Sequence, residues 1–251
     1  MSTPWYLGPL AVLDTETTGL DPDRGDRVIE VAIVAFDGGQ VTERWGELLQ
    51  PDVDIPAKVT EITGIRPEHL RGKPRFADVA HAIADKLQGR LCVAYNAGFD
   101  KSFLIHEFAR AGVRWPPGLR WVDPLVLAKQ LQKGQGGHKL GEVAKRLGVP
   151  LEEAHRATAD AECAGRVLLE LAKLLHRQQD VADYAPMREL HDRWEAEQES
   201  QRAGWKSRNR STSPMVFDSV GPGNALGPGY PHGDELDPVR YIFLKGVGRT
   251  A

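Results

Sequence analysis

Three strand patterns follow one another before any helical pattern begins, and this opening constrains the fold of the chain more than any other feature. Leu10-Ala11-Val12-Leu13 is a short apolar run that stops at polar residues, and it reads as a buried strand. Residues 21–26, with Pro22 and Gly25, read as a turn. Residues 27–36 are rich in Val and Ile and predict a second strand. Asp37-Gly38-Gly39 is a hairpin turn, and residues 41–49 predict a third strand. The pattern then alternates. Helical periodicity over 76–87 is followed by a strand at 91–95, a helix over 100–111 and a short strand at Trp121-Val122. Further helices follow over 124–131, with proline in the first turn, 139–147 and 157–175. A strand meander followed by strand–helix alternation predicts an α/β chain with a mixed sheet, neither all-parallel nor all-antiparallel.

The pattern changes after about residue 175, so we read a domain over 1–175 and a C-terminal extension over 176–251. Residues 183–201 suggest a charged helix with Met187, Leu190 and Trp194 on one face. Residues 202–210 are basic, and either grip single strands or form a solvated linker, the reading we prefer. Residues 211–237 are rich in Gly, Pro and Ser and read as linker. Residues 239–244 form a short apolar segment suited to docking as a strand, on this chain or on a partner.

The formal charge of −3 gives no global attraction to nucleic acid, so such a ligand would need a local basic face or bound cations. Cys92 and Cys163 lack metal-ligand spacing and form no disulfide framework. A reduced, cytoplasmic setting is the expectation, with no signal peptide and no membrane span.

Three elements carry chemistry. Asp14 and Glu16 lie two apart at the end of a buried strand, where residues i and i+2 face the same side. Asp100 opens a helix after the strand at 91–95 and the turn Asn96-Ala97-Gly98-Phe99. His155 and Asp160 precede and enter the long helix, where Ala157 and Ala159 permit close packing. Taken singly, each has an ordinary reading: a solvated loop start, a helix cap, an exposed loop histidine with a first-turn aspartate. Together they sit where strands end and helices begin, which is where α/β sheets place their sites. Four carboxylates in one pocket repel one another unless cations bind. Oxygen-only ligation suits Mg²⁺ or Mn²⁺, and two such ions about 3.5–4 Å apart form the clamp used in phosphoryl transfer. A neutral histidine beside them can take a proton from attacking water.

These residues carry a family resemblance. Asp14-Thr15-Glu16-Thr17-Thr18-Gly19-Leu20 resembles the first motif of the DEDD 3′→5′ exonucleases, Tyr95-Asn96-Ala97-Gly98-Phe99-Asp100 the second, and His155-Arg156-Ala157-Thr158-Ala159-Asp160 the third, in the histidine-bearing subclass. That group includes the proofreading epsilon subunit of DNA polymerase III, ribonuclease T and oligoribonuclease. The likeness spans roughly residues 8–175. It departs at Tyr95, where many members carry histidine, and we read Tyr95 as packing support.

The resemblance implies a ribonuclease H-like fold with a five-stranded mixed sheet flanked by helices. It also implies two Mg²⁺ or Mn²⁺ ions. Asp14 would bridge them, Glu16 and Asp160 would complete the site of the ion that activates water, and Asp100 would hold the second. His155 would be the general base. Thr17, Gly19, Leu20, Asn96 and Phe99 would meet the terminal nucleotide, with Leu20 wedged beside its base; for Leu20 and Phe99, core packing is the competing reading. Glu61-Ile62-Thr63-Gly64-Ile65 resembles a further family string, so Ile62 and Thr63 are loose candidates for base contact. Gly134-Gln135-Gly136-Gly137 reads as a connector, His138 as a surface or first-turn residue near the site, and His69, His81 and His106 as structural or exposed.

The implied substrate is a single-stranded DNA end, as in proofreading or repair, or alternatively an RNA end. The competing class is a catalytically silent binding or docking module. Implied partners are a DNA polymerase or another replication or repair protein. Several members are dimers, so a homodimer stays open.

Overall fold

A computed structural model of the chain describes residues 3–151 and 156–210, with residues 203–210 described as backbone alone. Strands β1 (Leu10–Thr17), β2 (Val28–Asp37) and β3 (Gln40–Leu48) form the antiparallel meander. Strand β4 (Leu91–Val93) joins the other edge of β1 in parallel, and β5 (Arg120–Val122) joins β4 in parallel. The order β3-β2-β1-β4-β5 makes the mixed sheet that the pattern predicts, with the five strands that the resemblance implies.

The helices are α1 (Ala57–Thr63), α2 (Pro67–Leu70), α3 (Phe76–Leu87), α4 (Ala97–Arg110), α5 (Pro124–Leu131), α6 (Leu140–Leu147), α7 (Ala157–Gln179) and α8 (Tyr184–Arg210). They cover both faces of the sheet, which is why β1 is apolar at every position from Leu10 to Leu13. Alternation sorts its side chains. Leu10 and Val12 join a core with Leu127 of α5, Val143 of α6 and Val167, Leu168 and Leu171 of α7. Ala11 and Leu13 join another with Ile83 of α3 and Phe103, Leu104 and Phe108 of α4.

Two glycines bring α7 unusually close to the sheet. A Cβ on Gly165 would lie 2.5 Å from the Phe36 ring and 3.0 Å from Val12. A Cβ on Gly46 of β3 would lie 2.7 Å from Thr158 Oγ1. On the opposite face, Arg27 ties the start of β2 to α4. Its Nε and Nη2 donate to the buried Glu107 carboxylate at 2.7 and 2.8 Å. This fork raises the Arg27 pKa further.

Several elements differ from expectation. Strand β1 runs four residues past Leu13, because Asp14–Thr17 pair with β2 as far as Val28. Helix α4 starts at Ala97, so Asp100 lies in its first turn and Asn96 is the cap. Helices α1 and α2 were not anticipated. Each is too short to show periodicity, although Pro56 and the left-handed Gly64 (φ 70°) mark the ends of α1. Helix α7 continues past residue 175 to Gln179. Helix α8 runs through Arg210, across the basic stretch read as linker. The Gly/Pro-rich linker and the apolar segment at 239–244 lie outside the described residues.

Met187 and Trp194 of α8 are buried in the same core as α5 and α7, which explains the face seen in the sequence. Arg188 Nη1 donates to the Trp121 carbonyl at 2.6 Å, and Gln198 Nε2 to the Val126 carbonyl at 3.1 Å. Among the described residues, no helix is long and apolar enough to cross a membrane. Cys92 and Cys163 are free thiols, and burial pushes each up to about 12.

Candidate active site

The row of β1 that faces α7 changes character at its end: Leu10 and Val12 are followed by Asp14 and Glu16. The same face receives Asp160 from the first turn of α7. Asp14, Glu16 and Asp160 offer carboxylate oxygens that all lie within 4.8 Å of one another. Asp14 is buried, while Glu16 and Asp160 are half-buried and open to a ligand. Three anionic groups at that spacing destabilise one another, and a cation between them reverses the sign. The donors are all oxygen, so the set fits a hard divalent cation.

Asp100 reaches the site from the opposite face. Its Oδ1 accepts from Thr15 N at 3.0 Å and Thr15 Oγ1 at 2.7 Å. The fourth sequence-derived carboxylate is therefore fastened to the residue between Asp14 and Glu16, outside the three-acid group. His155 lies outside the described residues.

The loop after β1 is held by Asp26. Asp21 N donates to Asp26 Oδ2 at 2.9 Å, and Arg27 N donates to Thr18 Oγ1 at 2.9 Å. Thr17 Oγ1 donates to the Gly19 carbonyl at 2.6 Å. A Cβ on Gly19 would lie 2.2 Å from the Asp26 carboxylate, so only glycine permits this approach. Leu20 packs partly on the α3–α4 core, and Phe99 is buried there with its ring centroid 4.8 Å from that of Phe103. Ile62 is half-buried and Thr63 is buried, with Thr63 Oγ1 donating to the Val59 carbonyl at 2.9 Å. Tyr95 is buried, and its hydroxyl donates to the His138 carbonyl at 2.6 Å, which ties the turn before α4 to the segment before α6. His106 bridges the Ser102 carbonyl and Asp23.

The exonuclease family profile matches residues 11–168, the stretch that carries all of these groups. The chain belongs to this exonuclease family. It is 34% identical over 166 residues to the 3′-5′ exonuclease DinG of Bacillus subtilis, covering 66% of this chain and 18% of DinG. It is 33% identical over 195 residues to the PolC-type DNA polymerase III of Thermotoga maritima, covering 72% of this chain and 14% of that protein. This chain thus spans less than a fifth of either relative. It is 36% identical over 160 residues to the DNA polymerase III epsilon subunit of Treponema pallidum, covering 63% of this chain and 72% of the subunit. Solved exonuclease structures share the fold. The nuclease domain of 3′hExo, a DEDDh family member bound to rAMP, superposes with a TM-score of 0.59 at 15% identity over 70% of this chain and 96% of that one. Exonuclease I of E. coli with a dA16 oligonucleotide gives 0.56 at 24% identity over 69% and 41%.

Within this exonuclease domain, two acids escaped the sequence reading. Glu30 of β2 lies opposite Glu16 in strand register and is buried. Burial pushes its carboxyl up; Arg156, with Nε 3.8 Å away, and the Ala157 backbone N–H pull it down, and Asp160 adds to the rise. Its signal was a charge inside the apolar run Val28-Ile29-Glu30-Val31. Asp123 is buried at the end of β5. Its carboxylate accepts from Asn96 N at 2.9 Å, Ala97 N at 3.1 Å and Leu125 N at 2.8 Å. Burial pushes Asp123 up to about 6, against the pull of those three N–H groups. As the cap before Pro124 it was visible in the sequence, but its reach back to the turn that starts α4 was not.

Asp123 also links the family core to α8, which lies wholly beyond the family match. Its backbone N–H donates to His191 Nε2 at 3.0 Å. His191, Asp192 and Glu195 form a second group whose geometry would permit a metal. The hydrogen bond argues against it: Nε2 is an acceptor, so a neutral ring carries its proton on Nδ1, the nitrogen facing the two carboxylates.

Proposed function

We propose that this chain is a two-metal-ion 3′→5′ exonuclease that releases nucleoside 5′-monophosphates from single-stranded DNA ends. The observation that carries the reading is the convergence of Asp14, Glu16 and Asp160 at the end of β1. The naming of the curated relatives after DNA polymerase III supports DNA as the substrate. Asp14, Glu16 and Asp160 would hold one Mg²⁺ or Mn²⁺ ion, with Asp14 shared and Asp100 serving the second. When bound, the ions offset phosphate charge and lower the cost of forming hydroxide.

The chain's own residues do the rest. Thr17, Gly19, Leu20, Asn96 and Phe99 seat the terminal nucleotide. His155 accepts a proton as water oxygen bonds to phosphorus. The bond from phosphorus to the 3′ oxygen of the penultimate sugar breaks, and that oxygen gains a proton. The products are a 5′-monophosphate and a strand one nucleotide shorter.

The test is incubation of the full chain with matched 5′-labelled DNA and RNA single strands in Mg²⁺, Mn²⁺ or chelator, beside Asp14→Ala. A ladder shortening from the 3′ end, absent in chelator and in the variant, is expected. Faster cleavage of RNA moves the substrate to RNA ends. No ladder, together with no divalent-ion binding, leaves a silent docking module.

A further inference from the structure

We propose that the cleft between α8, α5 and the start of α4 is an anion site that takes a backbone phosphate of the nucleic-acid strand upstream of the scissile bond. The proposal rests on the exonuclease reading for the identity of its ligand.

The cleft encloses about 80 Å³ and is lined by Asn96 and Gly98, Lys129 of α5 and Arg202 of α8. Asn96 and Gly98 lie on the turn and first residues of α4, two to four residues before Asp100, so the cleft adjoins the catalytic end of the sheet. Lys129 and Arg202 come from different elements and face each other closely enough to repel. Burial and then the Arg202 charge bring the Lys129 ammonium down to about 8, against the pull of the Asp123 charge. Neither cation makes a direct ion pair among the described residues, although the Asp123 charge attracts Lys129 and Glu195 and Glu199 line the same cleft.

Two of those acids have other partners as well. The Asp123 carboxylate is taken by three backbone N–H groups. Glu195 Oε2 lies 3.8 Å from His191 Nδ1. Glu199 is left as the acid not committed to another group. Two facing cations, one of them half-buried, are unfavourable alone and favourable around an anion. A phosphodiester meets all of these needs: it is anionic, it accepts hydrogen bonds, and it repeats along the strand.

Helix α8 lies beyond the family match, so Arg202 would be an addition of this chain to the family core. The strand would pass from the acids at β1, along the start of α4, to Lys129 and Arg202.

The experiment compares wild type with Lys129→Gln/Arg202→Gln in the full chain, with unfolding midpoints measured alongside. Binding of a labelled single strand of about twelve nucleotides is followed against salt concentration in chelator, so that nothing is cleaved. Loss of one phosphate contact lowers the slope of log K against log salt by about 0.7. Turnover is then compared on the strand and on the p-nitrophenyl ester of thymidine 5′-monophosphate, which carries no upstream strand. The expected result is a higher KM on the strand with kcat little changed, and a falling ratio of strand to ester efficiency. An unchanged salt slope overturns the proposal, as does an equal loss on strand and ester. A wild type that binds with the steeper slope but cleaves neither substrate leaves the anion site standing and removes the exonuclease reading.

Discussion

At the scale of single residues, one aspartate that shapes the site, Asp123, has no place in the chemistry proposed for it. Asp123 gathers the amides of Asn96, Ala97 and Leu125 onto one carboxylate. Asn96 is left-handed (φ 68°), a conformation that Asn adopts more readily than other residues bearing a Cβ but that still needs its surroundings to enforce it. The Asp123 clamp supplies that enforcement and so aims α4, and Asp100 with it. Asp123→Ala strands three amides at about 1–3 kcal/mol each. Denaturant unfolding should register a loss of at least about 3 kcal/mol, and turnover should fall in the fraction that remains folded. Asp123→Ala with wild-type stability and rate would remove this role.

At the scale of elements, the helix that brings Asp160 depends on the absence of a side chain. Gly165 lets α7 rest directly on Phe36 and Val12, so Gly165→Val overpacks the interface at about 1–3 kcal/mol. The displaced helix carries Asp160 with it, so metal affinity should drop by a larger factor than stability alone explains; calorimetric titration of the folded variant checks this. Helix α8 is coupled through His191, whose pKa burial depresses below the ordinary value near 6.5. The unfolded chain then takes up the proton first as pH falls. The contribution of His191 is complete above about 6.5 and is lost as pH drops from there towards the folded value. Unfolding curves of His191→Gln, whose amide oxygen can still accept from Asp123, should lack that acid-side decline. Asp192, Glu195 and Arg188 surround position 191 in both proteins, so the comparison isolates the imidazole.

Elements of this kind also mark what the sequence made legible. The strands and the long helices followed from periodicity, because buried rows repeat at fixed spacing. Asp14 and Glu16 were readable as a pair because alternation places them on one face. Helices α1 and α2 were not, being too short to show a period. The link from Asp123 to Asn96 was hidden for another reason: it crosses between β5 and the segment after β4, and no local pattern reports which strands become neighbours.

At the scale of the whole molecule, the family domain and α8 share one core. Met187 and Trp194 are buried beside α5 and α7, and each such side chain contributes about 1.5–3 kcal/mol. Ending the chain at residue 182 should therefore lower stability by about 3–6 kcal/mol, with the midpoint of thermal unfolding as the readout. A truncated chain as stable as the full one would mean that α8 sits on a core already complete without it.

The three clustered acids come from opposite ends of the family domain. Asp14 and Glu16 belong to a hairpin that can pair locally, while Asp160 arrives on α7, after β4 and β5 have been added to the sheet. A chain emerging from the ribosome thus carries two of its three clustered acids early and the third only near the end of the family domain. In the exonuclease reading proposed above, the ability to cut nucleic acid would be withheld until the sheet is complete and the last helix of the domain has docked, and an unfinished copy would leave the strands around it intact.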